Sequence, residues 1–284
     1  MKAKRAAGDI RHRTIALVLA SALLSLTVAA PCQQKEKESR DSVSNDLSLA
    51  RAAKAVGDGL LSPFHWKNDD VLVLALVAGA GVFVSLLDED IRNWAQERKT
   101  PSSEHVFRAV TRFGDGGSLC AFMAGLYAVG GVTGQRGVRK TALMCFESFL
   151  VSSAFSTILK YSIGRARPEA NEGRYSFHPF SRRSSFTSLP SGHSSAIWSV
   201  ATVIADRTDC FLVDVICYGT AALTSLSRIH EDKHWGSDVL IGSALGYFTA
   251  KKICSLNRNP KGPRLSSSFD LLGGQQSITL SLRF

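Results

Sequence analysis

Residues 227–238 read Ser-Arg-Ile-His-Glu-Asp-Lys-His-Trp-Gly-Ser-Asp, and two stretches upstream belong with them: Lys160 followed by Arg167-Pro168, and Pro190-Ser191-Gly192-His193. Within them stand three cations, Lys160, Arg167 and Arg228, two histidines, His193 and His234, and the carboxylate of Asp238, each stretch at the edge of an apolar segment. Transfer of a phosphoryl group is mostly a matter of positioning and of stabilising charge on its equatorial oxygens. Guanidinium forks pair bidentately with such oxygens, whereas lysine contributes a point charge. Lys160, Arg167 and Arg228 supply that set. Ser191 adds a hydroxyl donor, and Gly192 lets backbone N–H groups come close at the start of the helix running through Ser195 to Ala205.

Of the two histidines, His234 is the better nucleophile, because Asp238 would share its face in a helical turn and fix the tautomer of the ring. The other ring nitrogen is then free to attack. His193 is left as the general acid that protonates the departing alkoxide, and afterwards as the base that activates water against a phosphohistidine. A rival pattern overlaps this one. His230-Glu231-Asp232-Lys233-His234 matches H-E-x-x-H, a zinc metalloprotease signature. No glutamate follows Glu231, and Ser237 and Leu240 stand where an extended pattern needs glycine and histidine. A zinc site would also leave the three cations without a task, so His230, Glu231 and Asp232 read as surface residues.

The order Lys, six residues, Arg-Pro; Pro-Ser-Gly-His; Ser-Arg, five residues, His, three residues, Asp resembles the signature of the type 2 phosphatidic acid phosphatase (PAP2) and vanadium haloperoxidase superfamily, with every position filled. The resemblance covers residues 71–252. It implies a phosphohistidine mechanism without a metal cofactor, and the same roles for His234 and His193. Vanadate imitates the phosphoryl transition state and is expected as an inhibitor; in a haloperoxidase, the alternative on this fold, the same cradle would hold it as cofactor. A soluble exported acid phosphatase is a further alternative, since fold alone does not fix function.

The chain has 284 residues, a formal charge of +10 and a pI near 9.5, which favours anionic partners. Zinc-finger spacing, RNP-like strings and basic helices are all absent, so nucleic acid is not the partner implied. The basic residues collect at the ends and between apolar segments, a pattern suited to anionic lipid. The cysteines at 32, 120, 145, 210, 217 and 254 have no metal-ligand spacing and give no disulfide framework.

Residues 1–31 read as an export signal or N-terminal membrane anchor, with Lys2, Lys4, Arg5, Arg11 and Arg13 ahead of an uncharged run. Residues 32–70 are polar and then amphipathic around Leu47 to Leu61. From there the apolar segments Val71–Leu87, Gly116–Gln135, Thr141–Leu159, Ser194–Ala205, Cys210–Ser227 and Val239–Ala250 alternate with polar loops, predicting an all-α bundle of about six core helices over 71–252. In an up-and-down bundle the three motif stretches fall at one end. Only Gly116–Gln135 approaches the length of a membrane span, while Glu147 and Asp214 interrupt two others. Basic residues at 136, 139, 140, 251, 252, 258, 261 and 264 lie at the opposite end, which by the positive-inside rule places a membrane-associated bundle with its site outside the cytoplasm. Parity opposes this: if the N-terminal segment and the three before Lys160 all cross, the site faces inward.

The loop between the first two motifs carries Arg165, Arg174, His178, Arg182 and Arg183 among Tyr175, Phe177, Phe180 and Phe186, a cationic and aromatic rim suited to an amphiphilic phosphate. Residues 253–284 form a basic linker and a tail that alternates like a hairpin, Phe269–Leu272 against Ser277–Phe284. The expectation is a phosphatase acting on a lipid or isoprenoid phosphate monoester or pyrophosphate in the cell envelope.

Overall fold

The structure is a computed structural model that describes residue 57 and residues 68–258, 264–269 and 278–283. The expected export segment lies outside these residues, as does, Gly57 aside, the amphipathic stretch around Leu47 to Leu61. The helical body begins with α1 (Asn68–Ser85) and continues through α2 (Asp88–Glu97), α3 (Pro101–Val110), α4 (Gly116–Val132) and α5 (Arg136–Ile163). It is completed by α6 (Gly192–Arg207), α7 (Phe211–His230) and α8 (Gly236–Arg258). Six of these, α1 and α4 to α8, correspond to the six apolar segments, so the chain is the all-α bundle expected.

Helix α6 is the centre of the bundle, packed by α5, α7 and α8, and it is rich in buried residues on every side. That all-round burial is what an interior helix requires. Its approach to α8 is set by glycine: a Cβ on Gly242 would lie 2.5 Å from the Ser191 carbonyl oxygen, and one on Gly246 would lie 2.3 Å from that of Ser195. Around this crossing Met123, Met144, Val151, Val200, Val203, Ala221 and Ile253 form the core, flanked by Phe149, Phe155 and Trp198.

Helices α2 and α3 were not expected, because 88–110 is too charged to show an apolar segment. Their signals are local: Asp88, Glu89 and Asp90 in the first turn of α2, and Thr100 capping α3 through Ser103 N at 3.1 Å with Pro101 in the first turn. Both pack on α7 at the motif end, as does the 3-10 turn Thr111–Gly114. Consequently α1 arrives at that end, two short helices stay there, and α4 leaves from it.

Among the described residues two helices, α5 and α7, are long and apolar enough to cross a membrane; α4, the segment expected to come closest, has 17 residues. The interrupting Glu147 faces inward, where Asn257 Nδ2 donates to it at 3.2 Å. Outward-facing apolar side chains are numerous: Leu76, Val82, Phe83, Ile158, Leu223 and Leu226 are exposed, and Phe211 is 83% exposed. At the end away from the motifs, Asp206 pairs with Lys251 (3.0 Å) and Arg258 (2.6 Å), beside the start of α5 with Arg136 and Arg139. Cys120, Cys145, Cys217 and Cys254 are free thiols, whereas Cys210 is disulfide-bonded. In the tail, β1 (Arg264–Phe269) pairs antiparallel with β2 (Ile278–Arg283). The first strand therefore ends where the sequence reading has it begin.

Candidate active site

Lys160 lies in the last turn of α5, which Gly164 ends with φ +64 and an N–H to the Lys160 carbonyl. A Cβ at Gly164 would lie 1.9 Å from the His178 carbonyl oxygen, so the turn admits only glycine. Beyond it the backbone runs extended past Ser176 and Ser185, bringing Arg167 beside Thr187. Lys160 Nζ donates to the Thr187 carbonyl at 2.8 Å, and Arg167 Nη2 to the Thr187 hydroxyl at 3.3 Å. Arg228, in the last turn of α7, donates through Nη1 to Thr111 Oγ1 and Glu231 Oε2, both at 2.6 Å. The Nε atoms of Arg167 and Arg228 are buried without a partner. Buried donors left unpaired are costly, so a site that keeps two of them is built for an acceptor.

Ser191 caps α6, its Oγ accepting from Ser194 N at 3.5 Å and Ser194 Oγ at 3.0 Å. Its backbone N–H is tied to the Asp238 carbonyl at 2.9 Å. Gly192 stands over the Lys160 side chain, and His193 beside Gly114. Lys160, Gly192 and His193 line a cavity of about 200 Å³ that continues along α5 past Ser156, Ser153 and Phe149.

His234 is not in a helix. α7 ends at His230, α8 begins at Gly236, and the turn between them carries Asp232 at φ +59. The expected i,i+4 pairing with Asp238 is therefore loose, Nδ1 lying 3.9 Å from Asp238 Oδ2, and the close hydrogen bond of Nδ1 is the one it donates to the Ser188 carbonyl at 2.8 Å. A carbonyl can only accept, so Nδ1 carries the proton. Burial brings the ring's pKa down to about 3, with Lys160 and Arg167 adding to the fall against the pull of Asp238. The ring is neutral at pH 7 and its lone pair is on Nε2. Asp238 works one step back. Its Oδ2 accepts from Ser188 Oγ (2.5 Å) and Trp235 N (3.0 Å), and its Oδ1 from Arg165 Nη1 (2.6 Å). Burial also lowers His193, to about 4, helped by Arg228, Lys160 and Arg167. Lys160 and Arg167 thus act on both histidines and Arg228 on His193, and the structure gathers the motif residues at one end of the bundle.

The same break in the helix removes the zinc pattern. His230 Nε2 meets Ser103 Oγ at 2.9 Å and its ring stacks on Phe107, while Glu231 is held by Arg228. Among the described residues no three His, Cys, Asp or Glu side chains converge. Glu231 is accordingly part of the site rather than a surface residue. The rim is also revised. Arg165, 3% exposed, turns inward to Asp88 and Asp238, and Phe186 is buried with its ring 3.9 Å from that of His178. Tyr175, Phe177, Arg182, Arg183 and Phe180, which is 78% exposed, do form an outer edge. Sequence reasoning missed Asp88, Thr111 and Ser188. None carries a mark in the sequence, since Asp88 and Thr111 meet their partners from distant parts of the chain and Ser188 holds His234 through its backbone.

Residues 141–259 match the PAP2 superfamily. The lipid A 1-phosphatase of Rhizobium johnstonii is 30% identical over 212 residues, spanning 70% of this chain and 83% of that protein. The chain belongs to the PAP2 superfamily. As a PAP2-type phosphatase it is a phosphoric ester hydrolase of the lipid phosphatase family. The transmembrane PAP2-type phosphatidylglycerolphosphate phosphatase of Bacillus subtilis superposes with a TM-score of 0.53 at 25% identity, over 71% of this chain and 96% of that one. LpxE of Aquifex aeolicus, at 17% identity and a TM-score of 0.50 over 60% of this chain and 95% of that one, shares the fold.

Proposed function

We propose that this PAP2 phosphatase hydrolyses a lipid or isoprenoid phosphate monoester or pyrophosphate through a phosphohistidine on His234, without a metal ion. The observation that carries the reading is the pair of unpartnered buried Nε donors on Arg167 and Arg228, at the same end of the bundle as a neutral histidine whose Nδ1 is tied to the Ser188 carbonyl. The phosphoryl oxygens take up those donors, Lys160 Nζ and the Ser191 hydroxyl; Nε2 attacks, and His193 protonates the leaving oxygen. Burial, helped by Arg228, Lys160 and Arg167, favours the neutral form of His193. A bound phosphate dianion offsets the cations' share and adds a negative charge beside the ring, which favours proton uptake by the imidazole as the substrate binds. The names of the relatives put lipid A phosphates first among the candidates, ahead of phosphatidylglycerol phosphate, phosphatidate and undecaprenyl pyrophosphate. Phosphate release from each, in matched detergent and after exhaustive EDTA, is the test. Turnover of a long-chain phosphate should persist without metal, exceed that of soluble sugar phosphates in kcat/KM, and be inhibited by orthovanadate. Loss of activity on chelation, restored by zinc, would overturn the reading.

The exposed apolar side chains of α1, α5 and α7 support a bundle set in a membrane, and the basic end with Arg136, Arg139, Lys251 and Lys252 supports a site facing away from the cytoplasm. An export-dependent reporter placed after Pro168 should then be active, and one after Lys252 silent. A fully exported bundle is the second reading. It is favoured by the short span of most of the bundle: among the described residues only two helices are long and apolar enough to cross a membrane. Reporter activity at both positions would establish it.

A further inference from the structure

Asp88 opens α2 directly after the apolar α1 and is 0% exposed. A carboxylate so placed persists only when paired and hydrogen-bonded. Its Oδ1 accepts from Ser237 N at 2.9 Å, and its Oδ2 from Ser237 Oγ at 2.6 Å and Arg165 Nη2 at 2.8 Å. The Arg165 guanidinium is held on every side. Nη1 donates to Asp238 Oδ1 (2.6 Å) and Ser237 Oγ (2.7 Å), while Nε and Nη2 donate to the Arg174 carbonyl (2.9 and 2.8 Å).

One cation is thus divided between two carboxylates. Asp238 receives only Nη1, on Oδ1, which leaves Oδ2 to Ser188 Oγ and Trp235 N. The carbonyl of that same Ser188 fixes His234 Nδ1. With Asp88 removed, the fork would face Asp238 alone, and bidentate pairing would draw Oδ2 away from Ser188. We infer that Asp88 is a positioning residue for the nucleophile, acting through Arg165, Asp238 and Ser188 to hold His234 in its attacking orientation. It touches neither the cavity nor the cations of the phosphate cradle. This inference rests on the reading of His234 as nucleophile.

The test compares wild type with Asp88→Asn in detergent. Competent sites are counted by vanadate titration, and kcat/KM for p-nitrophenyl phosphate, which reports steps through phosphoryl transfer, is expressed per site. A misdirected nucleophile predicts a per-site loss of about 10²-fold, with the Kd for inorganic phosphate, which reads the cradle alone, changed less than about threefold, while vanadate, which takes up Nε2 as the transition state does, weakens in parallel with kcat/KM. A merely structural role predicts fewer sites of normal activity, and that result, or no change at all, would overturn the inference. Should Asp88→Asn not fold, Asp88→Glu, which keeps the charge on a longer arm, is read in the same way. Alkaline quench of wild type tests the underlying reading separately: if no phosphoenzyme is trapped, the covalent route fails while the per-site loss still reports on Asp88.

Discussion

His234→Ala should abolish phosphoenzyme formation from a lipid phosphate and from p-nitrophenyl phosphate alike, a loss on the order of 10⁴-fold or more. The attacking Nε2 is gone, and no second group among the motif residues has a lone pair held by a carbonyl in the same way. His193→Ala should separate the two substrates. A nitrophenolate leaves readily without a proton and a lipid alkoxide does not, so the alkoxide substrate should lose about 10²- to 10⁴-fold and the nitrophenyl ester far less. Rapid-quench measurement of the burst decides, and a normal burst from His234→Ala would show that the nucleophile is misassigned. The pH profile carries a signature of the same site. Because burial places His234 near 3, the nucleophile is neutral throughout the mildly acidic range, and kcat/KM should show no half-loss attributable to it between pH 7 and pH 4. A fall centred near the ordinary histidine value of about 6.5 would mean that the ring is not buried as described.

Gly242→Ala should be the most damaging change outside the motifs. Its Cβ would lie 2.5 Å from the Ser191 carbonyl oxygen and 3.1 Å from Ser191 N, and those atoms are backbone, which cannot swing aside. Overpacking of this kind costs about 1–3 kcal/mol, and here it also displaces the residue that caps α6 at the phosphate cradle. A misplacement near 1 Å can cost about 10²-fold in rate. Gly246→Ala provides the comparison, since it overpacks the same helix pair one turn further from the site. Both variants should lower the melting temperature in detergent, but only Gly242→Ala should lower kcat/KM by that factor. Equal activity losses would remove the claim that Gly242 acts through Ser191.

What could be read from the chain was what side chains advertise. Lys160, Arg167, His193, Arg228 and His234 are chemically loud residues at fixed spacings, and the six apolar segments mark their helices by composition. What could not be read was tertiary choice. Arg165 and Arg167 stand two apart in one short stretch, yet one is buried between carboxylates and the other lies beside Thr187 at the cradle. Spacing cannot announce that difference, because the partners Asp88 and Asp238 come from distant parts of the chain. The expected His234–Asp238 contact is looser than the spacing suggests for a related reason: counting four residues assumes a continuous helix, and here the helix begins only at Gly236. Helices α2 and α3 were hidden by charge, though their caps were in plain view.

The α5–α6 seam has a consequence for assembly. Cys145 Sγ donates to the Val200 carbonyl, Ser148 Oγ to that of Ser199 and Ser152 Oγ to that of Ser195, at 3.9, 3.5 and 3.2 Å, and Ser156 comes next, beside Gly192. Apolar side chains alone would let two antiparallel helices slide, since one greasy contact is much like the next. A file of small donors facing backbone carbonyls favours whole-turn settings over intermediate ones, and a slip of one turn, about 5.4 Å, would leave the end of the file without its partner and carry Lys160 away from Gly192.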